Sequence, residues 1–334
     1  MLPKLELENY YRFGAEMEIN AFDNLNRPLG YLNGELPAGI HYVGNLVQKT
    51  THGKVTIHKW GNDHHNESWV VKPDGSCGME VCSPVMKGWT GLMEICRVAE
   101  AFKYDAKIKA DNRCSFHVHV DVSDLTERQL ATILTWWIKC EPVFMDSVPA
   151  LRKKNQYCQF IGLTDLFNVK SGLLSSASLI SRLGQCKYYT INTFHYHNRR
   201  RKTIEFRIMD GECCKDPWMT KNWIRLLLHF IQRSLAIGMP LNYEGNDAWS
   251  GYCWLDPFDV FKFLGFSLYQ YELSPALSQV RSWFVERLMQ NSKNSNFQGV
   301  FGDFARQISI SQIENLNLTI PKENIDVYSS KFRI

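Results

Sequence analysis

The sequence predicts an α+β protein in which amphipathic helices pack on a β-sheet. Five short segments have the side-chain alternation of strands, with ionisable residues on one face and apolar residues on the other. Another segment carries apolar residues at helical spacing, at Leu92, Ile95, Cys96, Ala99 and Phe102. The strand-like segments are Phe13 to Ile19, Trp69 to Pro84, Cys114 to Asp121, Lys187 to Asn192 and Thr203 to Ile208.

The 334-residue chain is long enough for a large core, and we expect a main domain over residues 1–240 with a mainly helical extension over 241–334 packed on it. The net charge of +4 is too small to favour nucleic acid as a partner by itself. Ten irregularly spaced cysteines without a C-x-x-C pair, and no secretory apolar region, favour reduced thiols in a cytoplasmic protein. The most apolar stretch, Trp223 to Ile237, is interrupted by three basic residues, so no membrane span is predicted.

In the first half of the chain, a polar stretch rich in Gly, Asn and Pro runs from Phe22 to about Gly53. We expect it to form an irregular lid or entry loop. The sequence P-D-G-S from Pro73 to Ser76 predicts a tight turn between two strands. Asp124, with Glu127 three residues later, predicts the start of a long helix that Pro142 should kink or end.

In the second half, Tyr188 to His197 and Thr203 to Met209 predict two strands joined by the basic turn N-R-R-R-K at 198–202. Asp216 and Pro217 predict a helix start, and that helix should end at about Ile237. The region from 152 to 185 has no clear period. Further helices are expected near Pro257 to Leu264 and Pro275 to Met289.

Acidic and histidine side chains share the polar faces of these strands. They are Glu16, Glu18, Glu80, His117, His119 and Glu205. Two residues apart on a strand, Glu16 and Glu18 point the same way about 7 Å apart. Converging carboxylates would repel one another and lose hydration, and divalent cations remove that cost. The pattern favours two or three Mg²⁺ ions held jointly with a phosphate, with His117 or His119 as a nitrogen ligand. The alternative is that each glutamate lies on the solvated face of an edge strand.

Arg207 shares a strand face with Glu205. A rigid, planar guanidinium beside metal-bound carboxylates suits a phosphoryl group in transfer. The alternative is a simple ion pair with Glu205, which needs no ligand.

Taken in order, the sequence motifs resemble the amidoligase family, a branch of the glutamine synthetase and glutamate-cysteine ligase catalytic fold. The motifs are F-G-A-E-M-E, W-V-V-K-P-D-G-S with G-M-E-V-C-S-P, H-V-H-V, A-L-R-K-K-N-Q-Y-C, K-Y-Y-T-I-N and T-I-E-F-R-I-M-D-G, and the resemblance covers Phe13 to Ile231. It implies that residues 1–240 are a catalytic domain with a curled antiparallel sheet of glutamine synthetase catalytic type. The inner face would hold ATP and two or three Mg²⁺, with Mn²⁺ as an alternative ion, and helices would pack on the outer face.

The resemblance also implies roles for single residues. Glu16, His117 and Glu205 resemble the ligands of a metal between the ATP phosphates, and Glu18 and Glu80 those of a metal nearer the acyl substrate. Arg207 would clamp the transferred phosphate. The expected cofactor-binding residues are Arg152, Lys187, Tyr189, Asn192 and His119, and Glu80 is also expected to be catalytic. Ser115, where relatives often have Gly, and the G-E-C sequence at 211–213 depart from the family pattern.

The implied activity is ATP-dependent joining of a carboxylate to an amine through an acyl phosphate, with a small-molecule or peptide carboxylate and an amine as partners. Asp74 is a candidate for orienting or deprotonating the amine, against the alternative that it only forms an Asx-type turn. Other hypotheses are a guanidino-type kinase on the same fold, a metal-dependent amide hydrolase using H-V-H-V-D, and a nucleic-acid-binding module using the basic turn. The sequence predicts no particular oligomeric state.

Overall fold

The computed structural model describes residues 7–24, 38–58, 67–163, 175–197, 201–240, 254–266 and 273–292. Within these residues the chain is α+β, with one sheet of nine strands and with helices packed against it. The strands are β1 (Arg12–Ala21), β2 (Val55–Ile57), β3 (Trp69–Pro73), β4 (Met79–Cys82), β5 (Met86–Lys87), β6 (Ile108–Lys109), β7 (Ser115–Asp121), β8 (Ile191–Asn192) and β9 (Thr203–Asp210).

The helices, numbered in chain order, are α1 (Ala38–Thr51), α2 (Gly88–Tyr104), α3 (Glu127–Asp146), α4 (Ala150–Lys153), α5 (Ser176–Gln185), α6 (Phe194–His197), α7 (Pro217–Ile237), α8 (Pro257–Phe263) and α9 (Pro275–Asn291). Two 3₁₀ turns cover Leu7–Asn9 and Gly211–Lys215.

The strand order is β2-β3-β4-β1-β7-β9-β8, with β5 and β6 each paired to an end of β1. Every pairing is antiparallel except β2 with β3, which is parallel. The path ends at β2 on one side and β8 on the other, so the sheet is open and is not strongly curled. The curled, purely antiparallel sheet expected from the resemblance is corrected in both respects.

Apolar side chains on one face of the central strands form the core. Phe13, Met17, Phe116, Val118 and Phe206 are each at most 2% exposed and belong to one buried cluster with side chains of α2, α3 and α7. Burying each such side chain contributes roughly 1.5–3 kcal/mol. Because strand residues alternate between faces, this core leaves the ionisable residues of the same strands on the opposite face.

The predicted irregular stretch after the first strand contains α1. Ile40, Val43 and Val47 are buried at helical spacing on this helix, a period too short and too interrupted by glycine to stand out in the sequence. A Cβ at Gly44 would lie 3.0 Å from the Cδ1 atom of Ile57, so the glycine lets β2 approach α1 closely. Residues 25–37 of the predicted lid lie outside the described residues.

Helix α3 begins two residues later than predicted, after Thr126 rather than Asp124. The hydroxyl oxygen of Thr126 accepts a hydrogen bond from the Gln129 backbone, and the Gln129 side chain accepts one from the Thr126 backbone, which together form a capping box. Pro142 does not end the helix, which continues to Asp146. Near this proline the Leu255 N–H, from the C-terminal extension, donates to the Lys139 carbonyl at 2.8 Å.

Helix α7 has the predicted bounds. The Asp216 carboxylate accepts hydrogen bonds from the Trp218 and Met219 backbone at 2.8 and 3.0 Å, Pro217 takes the first turn, and Gly238 ends the helix with a φ of 85°. The strand predicted from Tyr188 to His197 is shorter, because only Ile191 and Asn192 pair with β9 before α6 begins. Residues 198–200 of the basic turn lie outside the described residues.

The described part of the extension, helices α8 and α9, contacts the main domain. Phe263 stacks on Trp136 of α3 with ring centroids 4.5 Å apart. The Arg287 guanidinium donates to the Ser147 carbonyl at 3.2 Å and to the Asp210 carboxylate at 3.0 Å, where β9 ends. Among the described residues, the nine cysteines carry free thiols, and no helix is both long and apolar enough to cross a membrane.

Candidate active site

Strand pairing brings the ionisable side chains of the polar face together from strands far apart in the sequence. Glu16 lies opposite His117 across β1 and β7, and Glu18 lies opposite Glu80 across β1 and β4. His119 lies opposite Glu205 across β7 and β9. Directly opposed side chains on one face are close enough to interact. We call Glu16, Glu18, Glu80, His117, His119, Glu205 and Arg207 the acid–histidine cluster.

His117 lies at the centre of the acid–histidine cluster. Its Nδ1 atom is 3.3 Å from an oxygen of Glu16 and 3.5 Å from one of Glu205, and its Nε2 atom is 3.8 Å from an oxygen of Glu18. The side chain is only 2% exposed, and Nε2 is buried without a hydrogen-bond partner. A buried ring nitrogen that faces carboxylates and makes no hydrogen bond could bind a metal ion.

Burial and neighbouring charges shift the pKa values of the carboxyl groups in the cluster. Burial, together with the negative charge of Glu16, raises the pKa of Glu80 above its usual value, although Lys72 at 3.2 Å opposes this shift. Burial also acts on Glu205, but the positive charges of Arg207 and the histidines outweigh it and hold the pKa of Glu205 well below its usual value. The cluster thus combines one carboxyl that resists ionisation with one that is firmly ionised.

A β-bulge places Arg207 in the cluster. Between β7 and β9 the register changes from Phe116 opposite Met209 to Val118 opposite Phe206, so β9 carries one extra residue there. Such a bulge re-aims side chains. The Arg207 Nη1 atom donates to the Glu205 carboxylate and lies 3.4 Å from Nδ1 of His117.

Arg152 supports the bulge through its guanidinium. The residue is 2% exposed, and its guanidinium donates hydrogen bonds to the backbone carbonyls of Arg207 and of Ile208, the latter at 3.2 Å. These contacts give Arg152 a structural role, and its expected nucleotide-lining role stays a prediction. The Arg152 side chain is held in place because a bulge disrupts the hydrogen-bond ladder between two strands. The backbone carbonyls at the bulge accept hydrogen bonds from this buried side chain instead of from the neighbouring strand.

Asn192 is also turned inward. Its amide nitrogen donates to Glu205 and to the Lys187 carbonyl, both at 3.0 Å, so it orients a carboxylate of the cluster. Its expected lining role stays a prediction. The Lys187 side chain is exposed, with Nζ 5.3 Å from the centre of the Tyr188 ring. Tyr189 is half-buried and packs against the core. The lining roles of Lys187 and Tyr189 stay predictions.

Asp74 forms the turn between β3 and β4. One carboxylate oxygen accepts hydrogen bonds from the Ser76 backbone at 2.7 Å, the Cys77 backbone at 3.1 Å and the Ser76 hydroxyl. Burial would raise the pKa of Asp74, but these hydrogen bonds outweigh it and lower that pKa. A carboxylate stabilised in this way is a weak base, so the geometry favours the Asx-type turn over amine deprotonation.

Four further side chains enter the site that the sequence reasoning did not assign to it. Lys72 pairs with Glu80, the Ser115 hydroxyl donates to Glu18, and the Cys82 thiol lies 3.1 Å from Glu80. His195 lies beside His119, with ring centroids 5.2 Å apart. Alternation along β3 places Lys72 on the same face as the carboxylates, which was the one available signal for it. His195 follows the strand on a short helix and had none.

The fold and this site define a class of protein before any relative is considered: an α+β protein with a buried cluster of carboxylates, histidines and an arginine on one sheet face. The family described as "Putative amidoligase enzyme" matches residues 43–231, more than half of the chain, and the chain belongs to this family. No curated protein matches. Among solved structures the chain is similar to a bifunctional glutathione synthetase from Pasteurella multocida, with 10% identity and a TM-score of 0.39, over 92% of this chain and 50% of that one. The chain thus spans half the length of that protein.

Proposed function

We propose that this amidoligase is an ATP- and Mg²⁺-dependent ligase that joins a carboxylate to an amine through an acyl phosphate. The observation that supports the proposal most is the buried acid–histidine cluster with Arg207 at its edge. Such a cluster is costly for a protein that binds nothing there, because buried carboxylates lose hydration and repel one another. The relation of the sheet to the glutamine synthetase catalytic type is part of the same proposal.

The residues of the cluster fit magnesium. Glu16, His117 and Glu205 each offer a ligand atom, and these atoms lie within 4.8 Å of one another. Glu18 and Glu80 face each other on neighbouring strands and would hold a second ion nearer the acyl substrate. The raised pKa of Glu80 supports this assignment, because a cation beside the carboxylate would favour the ionised form that burial disfavours. Glu80 is thus proposed as a ligand of the second ion. Because that ion would lie near the acyl substrate, Glu80 is also proposed as a catalytic residue.

Arg207 would neutralise charge on the group in transfer. When bound, ATP supplies the phosphoryl group that turns a poor electrophile into one with a good leaving group. The guanidinium has one nitrogen on Glu205 and another, Nε, 3.4 Å from the Tyr157 carbonyl, and the bulge holds its backbone. A planar fork held in this way meets oxygens in a defined orientation, which matters most for charge that develops in the transition state.

Hydroxylamine tests the acyl-phosphate step. With ATP, Mg²⁺ and a panel of amino-acid and peptide carboxylates, the protein should convert the active carboxylate into a hydroxamate while ADP and phosphate accumulate in equal amounts. Glu80→Gln should abolish the product, whereas Glu127→Gln, at an exposed position of α3, should not. A phosphorylated product without free phosphate would indicate a guanidino-type kinase. Hydrolysis of an amide without ATP, lost in His117→Ala, would overturn the proposal in favour of a hydrolase.

The nucleic-acid alternative receives no support from the described part of the basic turn. The Lys202 ammonium lies 4.2 Å from the centre of the Tyr196 ring, and the Arg201 backbone is bonded to the His195 carbonyl. The proposed partners therefore remain a small-molecule or peptide carboxylate and an amine.

A further inference from the structure

A second group of metal-ligating side chains lies beside the proposed magnesium ligands, at the β9 side of the cluster. Its members are His119, His195 and Glu205, whose ligand atoms lie within 4.8 Å of one another. The two imidazole rings meet edge to face, with centroids 5.2 Å apart and planes at 67°. One ligand atom from each of the three side chains is therefore close enough to the others to reach one ion.

The three side chains of this group come from three different secondary-structure elements. His119 on β7 is opposite Glu205 on β9, and His195 belongs to α6, which follows β8 directly. A Cβ at Gly184 of α5 would lie 2.8 Å from the His197 Cβ, so α6 sits where it does because residue 184 has no side chain. The position of His195 is therefore built into the packing of α5 against α6.

The Nε2 atom of His119 is buried and faces two carboxylates. It lies 3.0 Å from an oxygen of Glu16 and 4.0 Å from one of Glu205. A ring nitrogen beside two carboxylate oxygens is placed where it could share a cation with them. Asn192 holds the other oxygen of Glu205 at 3.0 Å and fixes the orientation of that carboxylate.

We propose that His119, His195 and Glu205 bind a divalent transition-metal ion of the zinc class. This site would prefer a different ion from the oxygen-rich magnesium positions. Imidazole nitrogens suit Zn²⁺, Co²⁺ and Ni²⁺, whereas Mg²⁺ prefers oxygen ligands and keeps its waters. Two imidazoles and one carboxylate form an open site in which a water or a substrate completes the coordination. The inference rests on the proposed function in one respect, because Glu205 also belongs to the proposed magnesium ligands.

Cobalt titration of the full chain tests this inference without any measurement of ligase activity. We expect the protein to bind Co²⁺ in the presence of excess Mg²⁺, with visible absorption bands of a nitrogen- and oxygen-ligated ion, and Zn²⁺ to displace it. His195→Ala and His195→Gln should each weaken Co²⁺ binding by about tenfold or more, as expected on loss of a ligand. His197→Ala, at an exposed position on the same short helix, should bind Co²⁺ like the wild type.

Three outcomes would overturn the inference. These are displacement of Co²⁺ by Mg²⁺, unchanged Co²⁺ binding in both His195 variants, and a sulfur-to-cobalt charge-transfer band, which would place the ion at Cys82 instead. Thermal unfolding of each metal-free variant establishes that it folds before binding is compared. A protein that binds Co²⁺ as expected but hydrolyses an amide without ATP would contradict the proposed function and leave this site standing. Hydroxamate formation without Co²⁺ binding would do the reverse.

Discussion

Glu141, buried on α3 behind the site, should make the stability of the protein depend on pH. Its carboxylate accepts hydrogen bonds from the Ile161 and Gly162 backbone at 3.1 and 3.4 Å and from the Thr190 hydroxyl, and the Thr190 carbonyl in turn accepts from the Arg207 N–H at 2.8 Å. Burial outweighs these hydrogen bonds and raises the pKa of Glu141 from 4.5 to about 7. The folded protein therefore holds this proton more tightly than the unfolded chain does.

The sign follows from that difference. A folded-state pKa above the unfolded value gives stability that is fully present below pH 4.5 and is lost as the pH rises through about 7. At about 1.4 kcal/mol per pH unit, the loss attributable to Glu141 is roughly 3 kcal/mol. Glu141→Gln cannot ionise, so the free energy of unfolding of this variant should lack that part of the pH dependence.

Urea unfolding of the wild type and Glu141→Gln at several pH values between 4.5 and 8.5 measures the difference. The variant should gain roughly 3 kcal/mol relative to the wild type across that range, whatever its stability at the acid end. Glu127→Gln, exposed on the same helix, is the control and should follow the wild type, because solvent screens that carboxylate. Parallel pH profiles for the wild type and Glu141→Gln would refute the reasoning.

Three substitutions test the supports of the site and the extension. Arg207→Lys keeps the charge but loses the fork, so kcat should fall by roughly two decades or more with little change in ATP affinity, and a near-normal kcat would make Arg207 structural. Arg152→Met removes the donors to the bulge carbonyls and should cost about 3 kcal/mol in urea unfolding and lower kcat as well, whereas an unchanged free energy of unfolding would contradict the bulge assignment. Arg287→Met leaves the buried Asp210 carboxylate without its 3.0 Å partner and should cost about 3 kcal/mol or more, with Asp210→Asn in the same background recovering part of the loss.

Periodicity was informative wherever the signal was local. Alternation placed Glu16 and Glu18 on one face, and the helix from Pro217 to Ile237 followed from a cap, a proline and a terminal glycine. The site was harder, because a partner on another strand leaves no trace in local spacing. The 3.2 Å ion pair between Lys72 and Glu80, for example, joins two neighbouring strands.

Arg152 shows a different limit of sequence reasoning. A family motif can indicate that an arginine lies near a site without indicating which way its guanidinium points. Here it points into the backbone of β9, because the bulge leaves carbonyls that a buried cation can satisfy. A bulge depends on the register of two strands, and register is a property of the assembled sheet.

The order in which the strands pair has a consequence for how the protein matures. Glu16 and His117 are 101 residues apart in the chain. Glu205 comes later still, on β9, which pairs with β7. Contacts of such sequence separation form slowly, because loop closure precedes the gain from pairing. A partly synthesised chain that ends before β9 lacks Glu205 and Arg207, and so lacks part of the proposed ligand set. Ions at the proposed sites would therefore bind after the sheet is complete and stabilise it, instead of guiding its assembly.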